Sequence, residues 1–238
     1  MAAAFNLQGN LLRDQKQYDE AIVKYEKAVE LNPKFAPPHN NWGVMLYNQK
    51  KYEEAVAKYQ KAIELDPKFA AAYYNWGILL QDQKKYEEAI AKYRKAIELD
   101  PKYEDSYYSW GNVLYERKKY DEAIAKYQQA IEVDPKSPLP YNSWGNALYN
   151  QKKYDQAIAE YQKAIEVDPR YALPYFNWGL LLSDQKKYDE AIARYQQALQ
   201  LDPKYAAAYY NWGIVLRRQG RLDQAEEKLA KARELSPE

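Results

Sequence analysis

Few residues in this 238-residue chain have side chains suited to bond-making chemistry, and they do not gather. The single histidine, His39, is the natural candidate for proton transfer. It stands in a column otherwise held by Phe5 and tyrosines, so it reads as an interior aromatic substitute. Cysteine is absent, which removes disulfides, thiolate metal sites and cysteine nucleophiles. No His, Cys or carboxylate cluster has metal-ligand spacing, so no cofactor or metal is expected. Acidic pairs such as Glu53-Glu54 recur at helix starts, and the glycines are solitary rather than grouped in a phosphate-binding loop. The chemistry left is non-covalent. There are 26 tyrosines and six tryptophans, accompanied by scattered asparagines. Tyrosine offers broad contact area with a hydroxyl for specificity, and asparagine donates and accepts at once.

The elements that position these side chains follow from the tryptophans. They fall at Trp42, Trp76, Trp110, Trp144, Trp178 and Trp212, each 34 residues from the next and each followed by glycine. Gly9 sits one period upstream, and prolines keep the same interval from Pro33 to Pro237. A fixed period of this length is the signature of a repeat array. The expected repeats are 2–35, 36–69, 70–103, 104–137, 138–171, 172–205 and 206–238, forming one array over 1–238 with no linker. Within one unit, Tyr73, Trp76, Gly77 and Leu80 recur at helical spacing, as do Tyr86, Ala89, Ile90, Tyr93, Ala96 and Ile97. Asp82 to Lys85 break the two helices apart, and Pro101 ends the second. Glutamates in the first turn suit the helix dipole. Glu54–Lys58 and Glu88–Lys92 are expected to pair at i, i+4 on a solvated face.

These columns identify the chain as resembling the tetratricopeptide repeat family. Gly77, Ala89 and Ala96 supply the small positions, Tyr73, Leu80, Tyr86 and Tyr93 the large ones, and Pro101 closes the unit. Two departures stand out. Tryptophan replaces the usual leucine before the glycine, which suggests a bulkier and more aromatic interior. Lysine (Lys16, Lys50, Lys84, Lys118, Lys152, Lys186) replaces the usual glycine in the turn, and only Gly220 keeps the family pattern. The resemblance implies an all-α, right-handed superhelical solenoid of seven helical hairpins, first helices inside and second helices outside. Arrays of this kind need polar end repeats. The last copy has Leu222, Glu226, Leu229 and Arg233 where the others carry tyrosines and branched apolar residues. A piece of a longer protein and a consensus-style engineered array would share these features.

The resemblance also implies a protein- or peptide-binding scaffold rather than an enzyme, with the ligand on the first helices. Seventeen tyrosines fall in core columns and three at repeat junctions, which leaves six on that face. The candidate peptide-binding residues are Asn40, Tyr47, Tyr74, Tyr108, Asn112, Tyr115, Asn142, Asn146, Tyr149, Phe176 and Tyr210. The same face carries Glu116, Asn150, Leu180, Ser183, Asp184, Arg217 and Arg218. For Tyr74, Tyr108 and Tyr210 the alternative is packing against the neighbouring repeat. Some family members clamp an acidic chaperone terminus with basic residues and asparagines. Asn6 and Asn10 fit parts of that clamp, but Asn40, Val44, Ala71 and Asn75 stand where its basic partners belong. With 35 basic and 34 acidic residues the chain lacks the charge that nucleic acid demands, and no nucleic-acid partner is expected. No apolar run approaches the ~18 residues needed to cross a bilayer, so no membrane partner is expected and the location is read as cytoplasmic. Two further readings are a homo-oligomer assembled through the terminal repeats, and the targeting region of a larger enzyme.

Overall fold

The structure, a computed structural model, describes residues 1–236. Pro237, the last of the regularly spaced prolines, lies outside them. Among the described residues the chain is all-α, with fourteen helices and no strands. They alternate between first helices of 13 residues and second helices of 14: α1 (Ala2–Asp14), α2 (Tyr18–Leu31), α3 (Ala36–Asn48), α4 (Tyr52–Leu65), α5 (Ala70–Asp82), α6 (Tyr86–Leu99), α7 (Glu104–Glu116), α8 (Tyr120–Val133), α9 (Pro138–Asn150), α10 (Tyr154–Val167), α11 (Ala172–Asp184), α12 (Tyr188–Leu201), α13 (Ala206–Arg218) and α14 (Leu222–Leu235). Two compact units divide inside α7, the first covering 1–113 and the second 114–238. In the first unit α1 pairs with α2, α3 with α4 and α5 with α6, and successive hairpins pack against each other. The second unit repeats the arrangement from α8 to α14. No helix of the described residues is long and apolar enough to cross a membrane.

The centre of six hairpins is the second-helix tyrosine, and Leu229 takes its place in the last. Tyr25, Tyr59 and Tyr93 in the first unit, and Tyr127, Tyr161 and Tyr195 in the second, are at most 1% exposed. Alanines flank them, as Ala89 and Ala96 flank Tyr93, and are fully buried. One edge of the ring abuts the glycine of the first helix. A Cβ on Gly77 would come within 2.6 Å of Tyr93 Cε1, and one on Gly145 within 2.5 Å of Tyr161 Cε1. The tryptophan-glycine pair is therefore a close helix approach, in which glycine leaves room for an aromatic ring.

The tryptophans pack against these buried clusters at the edge of the aromatic interior. They are half-buried, and a cation from the second helix roofs the ring: Lys58 Nζ lies 3.2 Å above Trp42, Lys92 Nζ 3.5 Å above Trp76, and the Arg194 guanidinium 3.7 Å above Trp178. Glu54–Lys58 and Glu88–Lys92 accordingly form no ion pair among the described residues. An indole face attracts a desolvated cation more strongly than an exposed carboxylate does, since exposed pairs contribute little. Burial pushes the Lys58 and Lys92 ammonium groups below the ordinary lysine range. The fifth repeat is the exception. Glu160 occupies the cation column, 6% exposed with Oε2 unpartnered, and Lys163 bonds its Oε1 at 2.9 Å while standing 5.5 Å from Trp144.

Two turns set the spacing. Between the helices of a hairpin, Lys50 adopts φ 63° and its N–H donates to the Tyr47 carbonyl at 2.8 Å, while the Lys51 N–H donates to the Leu46 carbonyl at 2.9 Å. This is a Schellman cap with lysine in the left-handed position that favours glycine. Between hairpins, Asp66 is extended, as a residue before proline must be, and its Oδ1 accepts the Lys68 N–H at 3.0 Å. Asn32, Asp100, Asp134, Asp168 and Asp202 repeat that turn.

Candidate functional site

The first helices bond to one another in a register of 35 residues, one more than the sequence period. In the first unit Asn41 Nδ2 donates to Asn6 Oδ1 at 3.0 Å, and Asn75 Nδ2 donates to Asn40 Oδ1 at 2.9 Å. In the second unit Asn177 Nδ2 donates to Asn142 Oδ1 at 2.9 Å. These are buried inter-repeat rungs, with Asn40 at 4% and Asn142 at 3% exposure. The expectation that both present open groups to a ligand is thus corrected: a buried amide has to be satisfied internally, and the next repeat satisfies it. Phe176, 8% exposed, is likewise a packing residue, with its ring 4.8 Å from Tyr205 and 6.0 Å from Tyr195. Tyr74 packs at 5.1 Å from Tyr103 and 6.0 Å from Tyr93. Tyr108 and Asn112 are half-buried in α7. Tyr210 is 53% exposed and borders a cavity of about 500 Å³ with Ala206, Ala207, Ala232, Arg233 and Ser236. His39 is buried, as expected of an interior substitute, and burial pushes its imidazole below the ordinary histidine range, with Lys58 and Lys61 adding to the effect.

Three of the expected residues converge. In the second unit, Tyr115 at the end of α7, Asn146 and Tyr149 on α9, and Leu180 on α11 line a cavity of about 290 Å³ with Asn150, Asn177 and Tyr161. Each side chain is held. Asn150 Nδ2 donates to Tyr115 Oη and to the Asn146 carbonyl, both at 2.9 Å. Tyr161 Oη, rising from the core of the hairpin, donates to Asn146 Oδ1 at 2.8 Å. Tyr149 Oη donates to Asp184 Oδ2 at the end of α11. Its ring rests 6.1 Å from Tyr154, and the Tyr115 ring 5.6 Å from Tyr120. Burial pushes the phenol groups of Tyr115, Tyr149 and Tyr161 above the ordinary tyrosine range. For Tyr149 the bond to Asp184 adds to the shift, and for Tyr161 the neighbouring phenols do. All three are therefore neutral hydroxyls at physiological pH.

Such a site can recognise a ligand but offers no poised base or nucleophile. Asn146 Nδ2 and Asn177 Oδ1 have no partner among the described residues, which leaves one amide donor and one amide acceptor open. Tyr47 repeats the tyrosine-to-carboxylate bond in the first unit by donating to Asp82. There Val44 stands at the position of Asn146, so the amide that the Tyr161 hydroxyl meets in the second unit is missing. Tyr161 and Asn177 were missing from the sequence-predicted site. Tyr161 reads as pure core because its hydroxyl's destination is invisible in the helical pattern. Asn177 was detectable as an asparagine 35 residues after Asn142.

The sequence pattern of the TPR repeat matches residues 9–50, 43–84, 77–116, 111–152, 145–186 and 179–220, and that of the tetratricopeptide repeat matches 206–238. This chain belongs to the tetratricopeptide repeat family. No curated protein sequence matches it. Among solved structures, YrrB, described as a TPR protein with an unusual peptide-binding site, is 28% identical over 77% of this chain and 95% of its own, with a TM-score of 0.58. A tetratricopeptide repeat protein from Parabacteroides merdae is 19% identical over 99% of this chain and 93% of its own, with a TM-score of 0.76. The Cut9–Hcn1 hetero-tetramer of the APC/C is 20% identical over 98% of this chain, which spans 46% of the matched chain, with a TM-score of 0.77. The last two carry the fold alone. The seven tetratricopeptide hairpins account for the tryptophan spacing, the buried tyrosine column and the stacked first helices.

Proposed function

We propose that the chain is a non-catalytic scaffold that holds an extended segment of a partner protein against its first helices, with the pocket between α7, α9 and α11 as the principal anchor. The observation behind this reading is the cavity of about 290 Å³ in which Tyr115, Asn146 and Tyr149 meet. Its open amide donor and acceptor match the alternating C=O and N–H of an extended backbone. Its aromatic walls add contact area at low entropic cost. The likeness to YrrB, a TPR protein with a peptide-binding site, supports the same assignment.

The test is a screen of fluorescently labelled, unstructured peptides by polarisation, followed by titration of the best binder into the Tyr115→Ala and Tyr149→Ala variants. Loss of an aromatic anchor costs about 2 kcal/mol, or roughly thirtyfold in affinity. Unchanged affinity in variants that keep their helical circular dichroism would remove the pocket from the binding surface.

A further inference from the structure

The pocket in the second unit has a sign. Three oxygens are open as acceptors: Tyr149 Oη has given its hydrogen to Asp184, Tyr161 Oη has given its hydrogen to Asn146, and Asn177 Oδ1 is open. Open donors reduce to Asn146 Nδ2 and the Tyr115 hydroxyl hydrogen. No Lys or Arg lines the cavity. Arg218 Nη1 lies 3.4 Å from Ser183 Oγ, one repeat further on, and Arg217 is paired with Glu226 at 2.7 Å.

The placement of Asp184 points the same way. It is the last residue of α11, at the negative end of that helix's dipole, where a carboxylate is disfavoured. The second helices obey the usual preference and put their acids in the first turn, as Asp155 and Glu190 show. Asp184 departs from that preference, as Asp14, Asp82 and Glu116 do at the ends of α1, α5 and α7, and it is tied to the cavity by its bond from Tyr149. A carboxylate, a helix C-terminus, phenol oxygens and the faces of two tyrosines all attract positive charge.

Resting on the peptide-binding reading above, we infer that this pocket receives a cationic side chain, a lysine or arginine, of the bound segment. The ammonium or guanidinium group lies against the Tyr115 and Tyr149 rings and donates toward Tyr149 Oη, Asn177 Oδ1 and the Asp184 carboxylate. A glutamate side chain finds no cation and a repelling carboxylate. A neutral alkyl chain leaves the acceptors unsatisfied.

Three blocked peptides of one scaffold, with lysine, norleucine or glutamate at the central position, test this by calorimetric titration at low salt. Wild-type protein is expected to bind the lysine peptide about five- to thirtyfold more tightly than the norleucine peptide, and the glutamate peptide weakest. Asp184→Asn keeps an acceptor for Tyr149 Oη and is expected to lower the lysine-to-norleucine affinity ratio toward one. Circular dichroism confirms that the variant is folded. If norleucine binds as tightly as lysine, or Asp184→Asn leaves the ratio untouched, the cation assignment fails while peptide binding stands. If glutamate binds best, the sign is reversed and the inference is overturned. If none of the three binds and the wider peptide screen is also empty, the peptide-binding reading falls with it.

Discussion

Replacing Gly77 by alanine puts the packing logic of the repeat to a quantitative test. Two effects oppose each other. Alanine is favoured over glycine in a helix interior by about 1 kcal/mol, so an open site would be stabilised by that amount. At Gly77 the added Cβ meets Tyr93 Cε1 at 2.6 Å and Cδ1 at 2.8 Å, well inside the 3.4 Å where ordinary contact begins. Tyr93 cannot yield cheaply. It is fully buried, and its hydroxyl donates to Gln81 Oε1 at 2.8 Å. Overpacking of a rigid core costs about 1–3 kcal/mol, and the buried tyrosine places this site at the upper end. The net expectation is a loss of about 1–2 kcal/mol, read as a lower urea midpoint with an unchanged slope. Because adjacent repeats stabilise one another, the loss should appear in the whole transition of the unit rather than as a separate early phase. A variant as stable as the parent, or more stable by about 1 kcal/mol, would refute the claim that the glycine column exists to seat the tyrosine ring.

Further expectations follow from other columns. Lys84→Gly should stabilise by about 0.5–1 kcal/mol, since Lys84 holds φ 58° at a helix end where glycine carries no Cβ penalty; a thermal melt that moves down would contradict the strain. Glu160→Arg should stabilise by about 1 kcal/mol by replacing a buried carboxylate with an orphaned oxygen by the cation that roofs Trp178 two helices on; chemical denaturation with a lower midpoint would show that Glu160 has a role outside packing. Alkaline pH should unfold the chain. Burial pushes Tyr25, Tyr103 and Tyr205 up to about 12 from an ordinary value of 10.0. Their protonated form is then favoured by folding, so the stabilisation is complete below pH 10 and is lost as pH rises from 10 through 12. The last tyrosines to ionise and the helical circular dichroism should change together in that window, and all 26 tyrosines ionising near pH 10.0 in a protein that stays folded would contradict the burial.

The periodic part of this architecture was legible because it rests on short-range rules. Tryptophan and glycine at a 34-residue period, prolines at the same interval and apolar stripes at helical spacing lead to hairpins whose observed bounds follow the expected breaks. What lay beyond reading depends on contacts between elements. Asn40 and Asn142 looked like open groove amides because the 35-residue register that buries them appears only when first helices stack. Lys58 looked like the partner of Glu54 because helical adjacency is visible in sequence, whereas its reach across the turn to Trp42 is not. Tyr115, Asn146 and Tyr149, which line one cavity, were legible as candidates because they vary in type between copies while sitting on a face the core does not need. Asp184 was visible on that face, but its meaning came from Tyr149, on the neighbouring first helix.

The most direct test of the central claim is nuclear magnetic resonance of the protein with assigned asparagine side-chain amides, titrated with the tightest peptide from the screen. The Asn146 and Asn177 side-chain signals are expected to shift first and most, together with the ring protons of Tyr115 and Tyr149. Perturbations confined to second-helix residues such as Arg194 and Lys163, with the four pocket residues unmoved, would contradict it and place recognition on the opposite face.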